Sequence, residues 1–154
     1  MHAHWGDDEG KGSEHTLDGK MFDAELHIVH YNTKYSDPAE ALDKPDGLAV
    51  LGVFIKTGKY NLEMENICQN LMHIETKNTT LKTPDIVNPT NLLPSKNHFV
   101  TVQSLRILNP GDKEFFTYLG SLTTPPLFES VSWILFKESI EMSKDQVNNC
   151  KNLL

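Results

Sequence analysis

The sequence predicts an α+β chain in which strands lead, and three observations carry that reading. Four stretches, Met21 to Tyr31, Leu48 to Lys56, Phe115 to Leu119 and Val131 to Lys137, are alternating or largely apolar, as strands are. Between Asn61 and Glu75, the residues Leu62, Ile67, Leu71 and Ile74 recur at near-helical spacing. Two further helix starts are marked by Asp37 ahead of Pro38 and by Ser143 three residues before Gln146.

Taken in chain order, the first segment is the short alternating stretch Met1-His2-Ala3-His4-Trp5. A strand sends residues i and i+2 to one face, about 6.6 Å apart, so His2 and His4 can aim both imidazoles into one cavity. The second stretch, Ala24 to Tyr31, alternates through Glu25 and His27, and as a neighbouring strand it could add His27 to the pair. Three neutral imidazoles with a free fourth position form the tetrahedral site of a catalytic zinc that activates water. Alone, a His-x-His pair arises often by chance, and a strand histidine is more often core or surface. Asp37 to Leu42 reads as a short helix with proline in its first turn. Leu48 to Ile55 is almost wholly apolar, which predicts a strand covered on both faces. Asn61 to Glu75 predicts one amphipathic helix, and a last helix begins at Ser143 with Gln146 completing a capping box.

Length and composition narrow the function classes. At 154 residues the chain fits one domain with room for a core, and it shows no repeats, low-complexity tracts or interdomain linker. The formal net charge of -7 argues against nucleic acid or an anionic membrane surface as partner. No apolar run approaches the roughly 20 residues of a bilayer span, and no signal peptide is visible. Cys68 and Cys150, both in predicted helices, are too few for a disulfide framework. Asn78-Thr79-Thr80 matches a glycosylation sequon, a triplet common by chance.

A distant segment changes the weight of the histidines: Tyr118-Leu119-Gly120-Ser121-Leu122-Thr123-Thr124-Pro125-Pro126. With Gly12-Ser13-Glu14-His15-Thr16, the two histidine segments, Asp46 to Gly52 and Ser130 to Ile134, it resembles the α-class carbonic anhydrases. Several blocks in the right order are far more specific than any one of them. The resemblance implies a mainly β fold with peripheral helices, built on a large, twisted, mostly antiparallel central sheet that is incomplete here. Residues 1–154 would be a single partial catalytic domain, beginning one residue before the first zinc-ligand position and stopping before the family's C-terminal stretch. A truncated gene model, a splice product or a cloning boundary would each account for that. Residues 95–114 exceed the family's short connector, and Phe99 to Leu108 has no counterpart. They read as an atypical inserted loop closed by Asn109-Pro110-Gly111-Asp112, with retained non-coding sequence as the alternative.

The same resemblance implies the chemistry. His2, His4 and His27 would hold Zn2+, and the activity would be reversible hydration of carbon dioxide to bicarbonate and a proton by a zinc-bound hydroxide. Thr123 would accept a hydrogen bond from that hydroxide and donate its own proton to an ionised Glu14. Val29, Val50, Leu122 and Trp133 would wall the carbon dioxide site, and Thr124 would touch bicarbonate or an inhibitor of the sulfonamide type. Glu25 would orient a ligand ring, and His15 would help hold the Glu25 region as a buried structural histidine. His30 reads as a core or near-site strand residue, and His73 and His98 read as surface. Leu127 stands where secreted relatives often carry a cysteine, so a cytoplasmic protein is expected, and a monomer is expected with it from the resemblance. The competing reading is a truncated, non-catalytic isoform acting as a zinc- or protein-binding module. The family's proton-ferrying histidine and the supports of its first two ligands fall outside the chain, so weak zinc binding and poor turnover are expected.

Overall fold

A computed structural model describes residues 1–71, 88–94 and 115–151. Six strands form one sheet: β1 (His2–Trp5), β2 (Ala24–Tyr31), β3 (Leu48–Thr57), β4 (Phe115–Gly120), β5 (Val131–Phe136) and β6 (Ile140–Met142). Their order is β1-β2-β3-β5-β4, with β6 pairing a further part of β3. The β1/β2, β2/β3 and β4/β5 pairings are antiparallel, and β3 runs parallel to β5 and β6. Helices α1 (Pro38–Ala41), α2 (Leu62–Leu71) and α3 (Lys144–Lys151) and a 3-10 turn at Pro89–Leu92 accompany the sheet. The fold is the sheet-dominated one predicted. Residues 95–114, the predicted insertion, and the stretch of the second predicted helix beyond Leu71 lie outside the described residues, as do His73 and His98.

Register sorts the side chains into two faces. Residues paired across strands share a face, so His2↔His27, His27↔Gly52 and Gly52↔Leu135 form one row. Val29↔Val50, Val50↔Trp133 and Tyr118↔Trp133 form the next row on that face. The opposite face carries Ala24, Leu26, Ile28, Val53 and Ile55, which pack with Met64 and Cys68 of α2, Val147 of α3 and Leu92 and Leu93. A smaller apolar cluster of Ala41, Leu48, Val50, Val131, Trp133 and Leu135 sits on the histidine face. Both faces of β3 are therefore covered, as its apolar run requires.

Several boundaries differ from the sequence reading for local reasons. β2 begins at Ala24 rather than Met21, because the Phe22 carbonyl accepts from the Gly12 and Ser13 amides at 2.8 and 3.1 Å. Next to it, the Asp23 carboxylate accepts from the Gly10 and Thr57 amides, each at 2.6 Å, tying the loop before β2 to β3. On α2 the buried stripe is Met64 and Cys68 with Ile67 beside it, whereas Leu62 is 66% exposed. At about 100° per residue, Leu62 lies about 160° around the helix from Met64, which puts it on the far side. Strand β6 and the 3-10 turn are too short to leave a periodic signal.

The capping signals hold. Asp37 accepts from the Glu40 amide with Pro38 in the first turn of α1. Before α3, the Ser143 amide donates to Gln146 Oε1 at 3.1 Å and Ser143 Oγ accepts from the Gln146 amide at 3.3 Å. Gln146 also accepts from the Asn61 amide at 3.0 Å and donates to its carbonyl at 2.7 Å, while Asn61 Oδ1 caps α2. One buried amide thus joins the starts of two helices. Gln146→Ala should destabilise the chain by about 1–3 kcal/mol, the cost of stranding buried polar groups, read as a lower denaturant midpoint.

Candidate metal centre

Strands β1 and β2 bring three imidazoles together. Pairing of His2 with His27 and of His4 with Glu25 puts all four side chains on one face. The ring centroids of His2, His4 and His27 lie 5.0, 5.1 and 4.8 Å apart pairwise, and one nitrogen from each falls within 4.8 Å of the others. His2 Nε2 is 3.3 Å from His27 Nδ1. Two nitrogens bound to one tetrahedral zinc at the usual bond length are also about 3.3 Å apart. His4 Nε2 is buried without a hydrogen-bond partner, although Glu14 Oε2 lies 3.3 Å away in poor alignment. A buried nitrogen lone pair left without a donor is costly, and a cation at the meeting point of the three rings removes that cost. The donor set and its spacing fit zinc.

Glu25 decides which nitrogen of His27 faces the cluster. Its carboxylate is fully buried and can only accept, so His27 Nε2 donates to Oε1 at 2.8 Å and Nδ1 keeps its lone pair. His15 supplies two more donors: its amide to Oε2 at 2.8 Å and its Nδ1 to Oε1 at 2.6 Å. Burial alone would raise the carboxyl pKa, but the His15 and His27 hydrogen bonds outweigh it and hold the group at about 2. Gly52 provides the room, since a Cβ there would collide with Leu135 and lie 3.3 Å from Glu25 Oε1. On the far side of His15, Tyr118 Oη sits 2.5 Å from Nε2.

The remaining predicted residues fall around this core. Trp133 is buried with its ring 4.8 Å from that of His27, and its Nε1 donates to the Ser121 carbonyl at 3.1 Å, fastening the loop after β4. Val50 is buried beside it, Leu122 packs on the same cluster, and Val29 is exposed at the open end of the row. Thr123 and Thr124 are exposed in the loop, which is closed by Leu122 N to Phe128 O at 2.9 Å and Leu127 N to Thr124 O at 3.0 Å. No hydrogen bond joins Thr123 to Glu14. The Glu14 carboxylate points instead at the imidazoles, 3.3 Å from His4 Nε2 and 3.9 Å from His27 Nδ1. His30 is half-buried on β2, on the face opposite His27. Sequence reasoning missed Gly52 and Tyr118, whose contacts depend on pairing between distant strands.

A model of the eukaryotic-type carbonic anhydrase family matches residues 1–154, and the chain belongs to that family.

Two measurements test this geometry. Burial first, then the neighbouring His27 and His4, lower the pKa of His2 from 6.5 to about 4. The unfolded chain therefore takes up that proton first, and the metal-free chain should lose stability as pH falls from 6.5 towards 4, seen as a falling Tm in chelator. Gly52→Ala should displace Glu25 and weaken zinc binding by roughly 10-fold or more, measured by competition with a chromophoric chelator.

Proposed function

We propose that this chain, as a member of the carbonic anhydrase family, holds a catalytic zinc through His2 Nε2, His4 Nε2 and His27 Nδ1 and hydrates carbon dioxide reversibly. The supporting observation is the convergence of three imidazole nitrogens on one point, one of them buried and unpartnered. When bound, zinc would supply a water whose pKa is lowered to about 7. Everything else belongs to the chain. Glu25 keeps His27 in the tautomer whose Nδ1 can ligate. Lowered pKa values, caused first by burial, keep His2 and His4 neutral and able to donate lone pairs at neutral pH. Carbon dioxide is uncharged and has no strong donor, so Val29, Val50, Leu122 and Trp133 would receive it by apolar contact. Thr124 would meet the bicarbonate product or a sulfonamide. A carboxylate is acceptor-only, so Glu14 would take the Thr123 proton and leave the Thr123 oxygen to accept from the attacking group. No helix among the described residues is long and apolar enough to cross a membrane, and a cytoplasmic monomer of one domain is the accompanying reading.

One observation favours a second reading, a metal-binding module without turnover: Thr123 is exposed and makes no bond to Glu14. Zinc stoichiometry and sulfonamide-sensitive carbon dioxide hydration, measured on this chain, separate the two. The enzyme reading expects one zinc per chain and turnover lost with chelator. Thr123→Ala and Glu14→Gln should each lower turnover roughly 100-fold, the scale of one lost orienting interaction, with zinc content unchanged. A chain that binds no zinc, or unchanged turnover in both variants, would overturn it; zinc without turnover would establish the second reading.

A further inference from the structure

We infer that Glu14 is a displaceable fourth ligand of the metal centre, closing it at rest and opening it when its carboxylate swings to Thr123; the inference rests on the zinc reading above. The observation behind it is a meeting of acceptors. Glu14 Oε2 is 3.3 Å from His4 Nε2 and 3.9 Å from His27 Nδ1. An ionised carboxylate has no proton to give. His27 Nδ1 has none either, because Nε2 is the nitrogen that donates to Glu25. His4 Nε2 is buried without a hydrogen-bond partner. Among the described residues, these two imidazoles are the only ion-pair partners of Glu14. Lone pairs aimed at one another repel, and a cation shared between them turns that repulsion into attraction.

The spacing agrees with this. Two ligand atoms on one tetrahedral zinc, nitrogen or oxygen, lie about 3.3 Å apart. The Glu14 contact with His4 has that separation, as does His2 Nε2 to His27 Nδ1. The longer contact with His27 would close by a small rotation of a side chain that is only part-buried. The backbone delivers Glu14 to this place. Buried Ser13 accepts from the Phe22 amide at 2.9 Å and donates to the His15 carbonyl at 2.7 Å, so Glu14 is bracketed in a short turn. Thr123, across the site, is exposed and makes no bond to Glu14. A fourth protein ligand gives the closed form of a zinc site, whereas three leave the catalytic position open. Glu14 thus selects between the two: bound to the ion it blocks solvent and substrate, and bound to Thr123 it admits them.

Zinc affinity is measured by chelator competition for the wild-type chain, Glu14→Gln and Glu14→Asp. Thiocyanate binding is followed in the visible spectrum of each cobalt-loaded chain. Gln removes the charge, and Asp keeps it but withdraws it by one methylene. Three imidazoles remain in both variants, so zinc content at saturation stays the same. Both should bind zinc roughly 10-fold or more weakly, no less than the loss that follows removal of an indirect partner of a ligand. Both should also bind thiocyanate more tightly than the wild type, because no carboxylate has to leave first. A loss of zinc affinity in Glu14→Gln alone marks a nearby charge rather than a ligand and overturns the inference. Thiocyanate binding no tighter than in the wild type overturns it as well. Should the variants fail to fold, the cobalt-loaded wild-type chain decides. A spectrum constant through the neutral range, where a metal-bound water ionises, supports the inference, and one that changes there overturns it. A wild-type chain without zinc fells the proposed function and this inference together; one zinc per chain with wild-type affinity in both variants fells the inference alone.

Discussion

A carboxylate sealed inside a sheet is expensive unless it is fully paired, and Glu25 is 0% exposed. Its three donors, two from His15 and one from His27, are what make its burial tolerable. That requirement propagates outward. It fixes the tautomer of His27, requires a small residue at Gly52, and holds the loop carrying Ser13 and His15 against β2. The same loop is secured from below by Asp23 and by the Phe22 carbonyl, so an acidic side chain stands on either side of it. Remove the anion from the centre and each of these constraints loses its reason.

The sheet divides the labour between its faces by strand period alone. One set of alternate residues packs α2 and α3 and supplies most of the apolar burial; the other presents imidazoles, carboxylates and the Trp133 ring. A slip of one residue between β1 and β2 would send His2 and His4 into the apolar core, so register is enforced by both faces at once. Trp133 belongs to both schemes, as a core residue of the smaller cluster and as the neighbour of His27.

How much of this was legible depended on distance along the chain. Period two placed His2 with His4 and Glu25 with His27, and capping chemistry marked Asp37 and Ser143, because those relations span a few residues. Leu62 misled, since a loose apolar spacing does not say which stripe faces inward, and Met64 and Cys68 took that place. The meeting of His2 with His27 needed a strand register, and the Tyr118 contact with His15 spans 103 residues. No local pattern encodes such a contact. The Glu14 to Thr123 relation came from family resemblance, and the structure turns Glu14 towards His4 and leaves Thr123 exposed.

Among the described residues, strand β1 is four residues long, lies at the edge of the sheet and pairs with β2 alone, yet it carries two of the three imidazoles. An ion gripped by His2, His4 and His27 would stitch that edge to its neighbour, joining ligand release to peeling of the strand. Residence time of the ion would then be governed by the rate at which β1 lifts away, and amide hydrogens of Ala3 and Trp5 would exchange with solvent at a pace that reports occupancy.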